Sequence, residues 1–446
     1  MLTDPIAALA TAPGRSALAM VRCSGTGIFD VVRRVVRPFT NEPGRTAHLT
    51  GFYTTSGALI DRGLCTAFPG PASYTGEDMV ELSCHGGLLV PTQLLAALYH
   101  AGARPARPGE FTFRAVLNGK LDLLQAEAVG DLIDATAPHQ GKAALHQMEG
   151  GLSRRLGDLR EELIQLLALL DYEVDFPEED DGPVPRGRIV ARVDACRADI
   201  GGLIATAPAG ERLRDGALVV IAGPPNAGKS SLFNALLGTD RALVTELPGT
   251  TRDTIEAFTN MGGWPVRLAD TAGLWEAPDR LDRLGVEVSR RYLGAADLLL
   301  ACVPAGEVPS EEMRRLADRG DAILVRTKAD LEVDAEAPRE SREISVSIVT
   351  GRGLDPLRRE IVNRTFAESA TADLEPVLTR ERHRIALVRA RESLGAAREI
   401  LKEATGDAVL ASHQVRIGVA ALDELVGVVD PDEVLGRIFS QFCVGK

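Results

Sequence analysis

Apolar residues recur at steps of three and four through the middle of the chain, at Leu145, Met148, Leu152, Leu156, Leu159, Leu163, Leu166 and Leu170. That period predicts one long amphipathic helix, because residues so spaced share a face. The pattern is already helical from Leu121, and it stops in DYEVDFPEEDDGPVP at 171–185. There Pro177 and the density of carboxylates favour a solvated inter-helix connection over a metal site. Helical spacing resumes as far as about Leu213 and returns in Leu387, Ala390, Leu394, Ala397 and Leu401. These stripes read as core. Earlier in the chain, Ala17–Val21 and Met79–Leu82 read as strands among Gly- and Pro-rich turns, with a helical stretch from Leu88 to Leu98. The predicted fold class is therefore α/β and α. An N-terminal α/β domain occupies 1–118, a helical bundle combines 119–216 with 373–446, and 217–372 is inserted between its two halves.

Composition narrows this picture modestly. At 446 residues the chain exceeds one core, which predicts about two to four domains. No run of roughly eighteen apolar residues is present, and the start MLTDPIAALATAPGR has no basic stretch before a short apolar core. A cytoplasmic protein with no membrane span is expected. Cys23, Cys65, Cys84, Cys196, Cys302 and Cys443 are scattered without ligand-like spacing, so reduced thiols and no zinc site are expected. A net charge of −13 argues against a broad nucleic-acid-coating surface, and any RNA contact needs a local patch or a partner.

The strongest chemical signal is AGPPNAGKSS, Ala222 to Ser231, between the apolar run Ala217–Ile221 and the helix-like Leu232–Leu237. Strand, glycine loop and helix in that order make a phosphate-binding loop. Gly228 lets backbone N–H groups wrap phosphates, Lys229 reaches the β and γ oxygens, and the Ser230 hydroxyl can ligate Mg²⁺; Asn226, Ala227 and Ser231 complete the cradle. Partner motifs follow: LVTELPGTTRDTIE (243–256), VRLADTAG (266–273), AILVRTKAD (322–330) and ISVSIVTGRG (344–353). Thr251 can complete the Mg²⁺ shell and sense the γ-phosphate, Asp270 can hold Mg²⁺ through water, and the Gly273 N–H can meet the γ-phosphate. Asp330 accepts from the N1–H and amino group of guanine and would face no such donor pair on adenine, so GTP is the expected nucleotide. Lys328 lies beside it in the same motif, Thr327 stands where that motif usually has Asn, and Ser347 is a weaker base-side contact. Residue 274, where many GTPases carry a water-orienting Gln, is Leu, and no arginine finger is evident. Another positive charge is then needed at the transition state. Asn226 and the turn Thr245 to Thr250 can offer oxygens to K⁺.

The first domain is less explicit. Arg22, Arg114 and Lys120 either bind an anion or are solvated surface charges. His85, in Cys-His-Gly-Gly, is either a base or a hydrogen-bonded structural histidine. Glu81 either pairs two N–H donors of an aminopyrimidine ring or faces water.

With these residues in hand, the chain resembles, over essentially its whole length, the bacterial and organellar tRNA-modification GTPases of the MnmE (TrmE) family, in the TrmE-Era-EngA-like class. The resemblance rests on GPPNAGKSS, GTTRD at 249–253, DTAGL at 270–274, PGEFTFRAVLNGKLDLLQAEA in the first domain and the terminal FCVGK. It implies a folate-binding N-terminal domain that dimerises, a central helical domain and an inserted Ras-like GTPase domain. It also implies K⁺-dependent GTP hydrolysis coupled to juxtaposition of the two GTPase domains of a homodimer. On this resemblance Asn226, Thr245, Leu247 and Thr250 hold K⁺, and Ser230 and Thr251 hold Mg²⁺. Arg22, Glu81, Lys120 and Lys446 contact folate. Such proteins act with a flavin-containing partner, MnmG or GidA, in a heterotetramer or larger complex. They place an aminomethyl or carboxymethylaminomethyl group on the wobble uridine of certain tRNAs, with a one-carbon unit from a tetrahydrofolate derivative.

Two positions depart from the family. The water-orienting glutamate of its second switch is matched by Asp282, one methylene shorter, and a bridging water can absorb ~1 Å of missing reach; Glu276, Asp279 and Glu287 are nearby substitutes. Trp275 replaces a residue commonly Arg. Cys443 matches the family's C-terminal cysteine and acts in modification or is a partly buried structural thiol, with Lys446 close enough in sequence to lower its pKa. A rival function, a GTP-gated switch that binds RNA or ribosome, is disfavoured by Cys443 and the folate-like constellation.

Overall fold

The computed structural model describes residues 3–42, 44–175, 185–238, 255–270, 291–331, 343–371, 377–403, 407–427 and 445. The chain divides into two compact units, Met1–Gly130 with Asp423–Lys446, and Asp131–Leu422.

In the first unit the described residues form a seven-stranded sheet. Its strands are β1 (Ile6–Leu9), β2 (Leu18–Ser24), β3 (Val36–Arg37), β4 (Ala47–Tyr53), β5 (Leu59–Phe68), β6 (Met79–His85) and β7 (Arg104–Pro105), in the order β3-β4-β5-β6-β2-β1-β7. All neighbours are antiparallel except β1 and β7. Alternation sets the buried face: Val21 and Cys23 of β2 and Val80, Leu82 and Cys84 of β6 point into one core, as period-two side chains must. Helices α1 (Ile28–Val35) and α2 (Leu89–His100) cover that face with Ile28, Val31, Val32, Val35, Leu94, Ala97 and Leu98. Then come α3 (Glu110–Leu117) and α4 (Leu123–Asp134). The strand readings near 17–21 and 79–82 match β2 and β6. The reading of a lone helix here is corrected, because α1 and α3 span only eight residues each, too short for a periodic signal to emerge. Gly445 is buried against β1; a Cβ there would sit 2.2 Å from the Leu9 carbonyl oxygen.

The first unit also buries charge. Arg114, 1% exposed, donates to the Asp4 carbonyl (2.9 Å), to Glu77 (3.0 Å) and to Glu110 (3.0 Å). Arg104 grips both Glu110 oxygens, at 2.6 and 2.8 Å. Arg114 is therefore neither a solvated charge nor an open anion site, because its fork is occupied by carboxylates.

The second unit opens with α5 (Pro138–Met148), α6 (Gly151–Asp175) and α7 (Arg186–Asp215). The single helix expected from 145 to 170 is in fact two, broken at Gly150, whose φ of +81° no helix accommodates. Leu152 through Leu170 are buried as predicted, whereas Leu145 is 44% exposed because the break resets the phase of α5. A six-stranded sheet follows, built from β8 (Ala217–Ala222), β9 (Ile255–Met261), β10 (Trp264–Asp270), β11 (Leu298–Pro304), β12 (Ala322–Thr327) and β13 (Glu343–Ser345). The order is β13-β12-β11-β8-β10-β9, parallel throughout except the β9–β10 hairpin. Every residue of β8 and β11 is buried, as expected of central parallel strands covered on both faces. Among the described residues its helices include α8 (Lys229–Leu237), α9 (Glu311–Ala317) and α10 (Leu354–Thr371). The chain then runs through α11 (Glu381–Lys402) and α12 (Ala408–Val426). Leu387, Ala390, Leu394, Ala397 and Leu401 of α11 are buried as their spacing predicts, and Arg398 of α11 bonds Asp194 of α7 at 2.5 Å.

Helix α5 and the β9–β10 hairpin are joined directly. The His139 N–H donates to the Gly263 carbonyl at 3.1 Å, and the His139 ring stacks on Trp264 with centroids 4.0 Å apart. Trp264 stacks in turn on Phe366 of α10 at 4.7 Å.

Candidate nucleotide site

Buried strand β8 ends at Ala222, and the loop to α8 begins with Gly223, where a Cβ would lie 2.5 Å from the Cys302 carbonyl oxygen of β11. Only glycine permits so close an approach. Gly228 is the N-cap of α8 with φ +80°, and Asn226 has φ +63°, a conformation asparagine tolerates better than most residues. These turns aim the loop at the N-terminus of α8, where unpaired N–H groups and the helix dipole favour phosphate. Lys229 is 6% exposed, and its Nζ donates to the Pro224 carbonyl at 2.9 Å, so the ammonium lies across the loop. Ser230, Ser231 and Asn226 are exposed and Ala227 is buried.

Strand register fixes the second element. Asp270 pairs with Ile221, which places its carboxylate at the end of β10 beside the base of the phosphate loop, 4% exposed. The Cys302 thiol, buried behind the loop, is pushed up to about 12, chiefly by burial; Lys229 pulls it down and Asp270 pushes it up, so both charges act on the same spot. The Asp270 carboxylate and the Ser230 hydroxyl are hard oxygen donors of the kind Mg²⁺ prefers, and the residues fit that ion.

The base-side loop is tied to the phosphate loop. Thr327 ends β12, is 1% exposed, and its Oγ1 donates to the Ala227 carbonyl at 2.6 Å. Lys328 has φ +56°, turning the chain so that Asp330 emerges on the surface. The Asp330 carboxylate accepts from Ser347 Oγ at 2.7 Å, and Ser347 Oγ in turn accepts from the Thr350 N–H at 3.2 Å. Ala329 N–H to Val346 O at 3.1 Å joins the two segments again. Neither the Thr327 clamp nor the Cys302 backing follows from local sequence pattern; the Thr at 327 is the signal of the first. Thr245, Leu247, Thr250, Thr251, Gly273, Asp282, Cys443 and Lys446 lie outside the described residues.

In the first unit Arg22 and Glu81 are cross-strand partners of β2 and β6, bonded through Glu81 Oε1 at 2.8 and 3.1 Å. The Arg22 guanidinium lies 5.4 Å from the Tyr74 ring centre and 5.9 Å from that of Phe111. Lys120 is exposed and donates to the Pro71 carbonyl at 3.2 Å, on the loop that also carries Tyr74. His85 Nδ1 meets Asp61 Oδ1 at 2.9 Å with its ring exposed, a structural pairing. Among the described residues no cluster of His, Cys, Asp and Glu has metal-site geometry, and no helix is long and apolar enough to cross a membrane.

A parallel sheet that presents a phosphate loop on one strand, a cation-side carboxylate on the next and a guanine-matching carboxylate two strands away is the working arrangement of a P-loop GTPase. Residues 5–120 match the model described as GTP-binding protein TrmE N-terminus, and residues 123–443 match the MnmE helical domain. Two relatives named tRNA modification GTPase MnmE align end to end. That of Hyphomonas neptunium is 42% identical over 446 residues, covering 99% of both chains, and that of Aquifex aeolicus is 40% identical over 450 residues, covering 100% of both. The G domain of the T. maritima FeoB iron transporter is 30% identical over 33% of this chain and 98% of its own, with a TM-score of 0.25. The chain belongs to the MnmE family of tRNA modification GTPases.

Proposed function

We propose that the chain is a cytoplasmic, K⁺-dependent GTP hydrolase that works as a homodimer with a flavin-containing partner of the MnmG (GidA) kind. Together they add an aminomethyl or carboxymethylaminomethyl group to the wobble uridine of tRNA, with a one-carbon unit from a tetrahydrofolate derivative. The observation that carries the nucleotide part is Asp330, held by Ser347 on a loop tied through Thr327 to the phosphate loop. The proposed domains are 1–118 for folate and dimerisation, 119–216 with 373–446 as the helical domain, and 217–372 for GTP.

Within this reading Lys229 neutralises the β and γ oxygens, Ser230 and Thr251 hold Mg²⁺, and Asp270 supports it through water. Asn226, Thr245, Leu247 and Thr250 hold K⁺, which supplies positive charge at the transition state in place of an arginine finger. Asp282 orients the attacking water. Arg22, Glu81, Lys120 and Lys446 hold the folate; the Arg22–Glu81 pair with the Tyr74 and Phe111 rings near its guanidinium supports a flat ligand there. Cys443 acts in the modification step.

Deleting the chain in its host and measuring tRNA nucleosides by mass spectrometry tests the whole. Loss of the modified wobble uridine is expected, and unchanged wobble uridine sinks the reading. GTP turnover should be much faster in K⁺ than in Na⁺, and equal rates remove Asn226 from its role. Asp282→Ala should lower kcat with little change in GTP affinity.

A further inference from the structure

Thr327 departs from the usual residue of its motif, and the structure shows how its hydroxyl is occupied. The side chain is buried at the end of β12, with Oγ1 2.6 Å from the Ala227 carbonyl oxygen. A carbonyl oxygen only accepts, and a threonine hydroxyl has a single proton. That proton therefore points at Ala227. The Thr327 carbonyl is engaged too, accepting from the Ala305 N–H at 2.7 Å. What the Thr327 side chain still offers a ligand is lone pairs and a methyl group. Guanine N7 and O6 are both acceptors, so neither finds a donor in that side chain. Asp330 addresses the opposite edge of the base, and it is an acceptor that Ser347 already orients.

We propose that Thr327 is a specificity-determining residue: this chain reads guanine by its N1–H and amino edge at Asp330, and residue 327 gives no hydrogen bond to N7. The proposal rests on the guanine-site reading above. An asparagine at 327 carries two amide protons, one for Ala227 and one for N7, whereas Thr327 supplies only the first. The chain should consequently tolerate purines altered at N7.

The test is calorimetric titration of the full-length protein with GDP and 7-deaza-GDP in Mg²⁺, neither of which is turned over. The wild type should bind both within about twofold, since no hydrogen bond is lost. In Thr327→Asn, GDP should tighten about fivefold, the worth of one neutral hydrogen bond, while 7-deaza-GDP stays unchanged. Thr327→Ser keeps the hydroxyl and should keep the wild-type ratio. A wild type that loses about fivefold or more with 7-deaza-GDP overturns the proposal, as does a Thr327→Asn protein that binds both alike. Should Thr327→Asn fail to fold, the wild-type ratio decides. ADP is the separate control: ADP bound as tightly as GDP refutes the guanine-site reading itself, whatever the 7-deaza ratio.

Discussion

Single side chains in this protein act by being held. Asp330 is exposed, and its usefulness depends on the Ser347 hydroxyl that fixes its carboxylate. Asp330→Asn replaces an acceptor pair with a donor and an acceptor, which no longer matches N1–H and the amino group of guanine but does match N1–H and the carbonyl of xanthine. GTP affinity should fall roughly 10- to 100-fold, since bonds to a charged group are lost, and xanthosine triphosphate should become the better ligand. Competition binding with the two nucleotides measures this.

The buried Arg114 is held in the opposite sense, as the cation that makes Glu110 and Glu77 tolerable. Arg114→Ala should cost about 1–3 kcal/mol in urea denaturation, because Glu77 loses its cation while Glu110 keeps Arg104 and the Arg107 N–H. Burial alone would raise the Glu110 pKa, but bonds from Arg104, the Arg107 N–H and Arg114 outweigh it and hold it below the ordinary 4.5. A carboxyl so lowered stabilises the fold fully above its unfolded value, and that contribution drains as pH falls through the native one. The urea midpoint should therefore decline below about pH 4.5, and Glu110→Gln should remove this component of the slope.

Among elements, the β9–β10 hairpin has the most to transmit. Strand β10 ends at Asp270, beside the base of the phosphate loop, and begins at Trp264, stacked between His139 and Phe366. Trp264→Ala empties that sandwich and should cost about 3–5 kcal/mol, read from the thermal or urea unfolding of 131–422. This level also marks what the sequence made legible. The β8–loop–α8 unit and the buried stripe of α11 were readable because each rests on local rules: strand to glycine loop to helix, and a 3.6 period. The break at Gly150 escaped because leucines continue in phase across it in sequence while a positive φ interrupts them in space. Arg114 looked like a surface charge because its partners Asp4 and Glu77 are remote in the chain. Thr327 was visibly unusual, yet its commitment to Ala227 depends on a contact a hundred residues away.

At the scale of the molecule, two compact units with separate cores predict two unfolding transitions. Ligand that binds only the folded state stabilises only the unit it occupies. GDP with Mg²⁺ at about 100 times its Kd should raise one transition by about 2.7 kcal/mol and leave the other in place. Differential scanning calorimetry distinguishes this from a common shift of both.

Gly445, buried against Leu9, gives the first unit a history as well as a shape. The ribosome makes Leu9 before, and Gly445 only after, all of 131–422 has been polymerised. At about 5–20 residues per second, that interval is on the order of tens of seconds. Throughout it the backbone around Leu9 and Ala10 waits without its last neighbour, so the unit begun first is the one finished last, and the order of synthesis is not the order of completion.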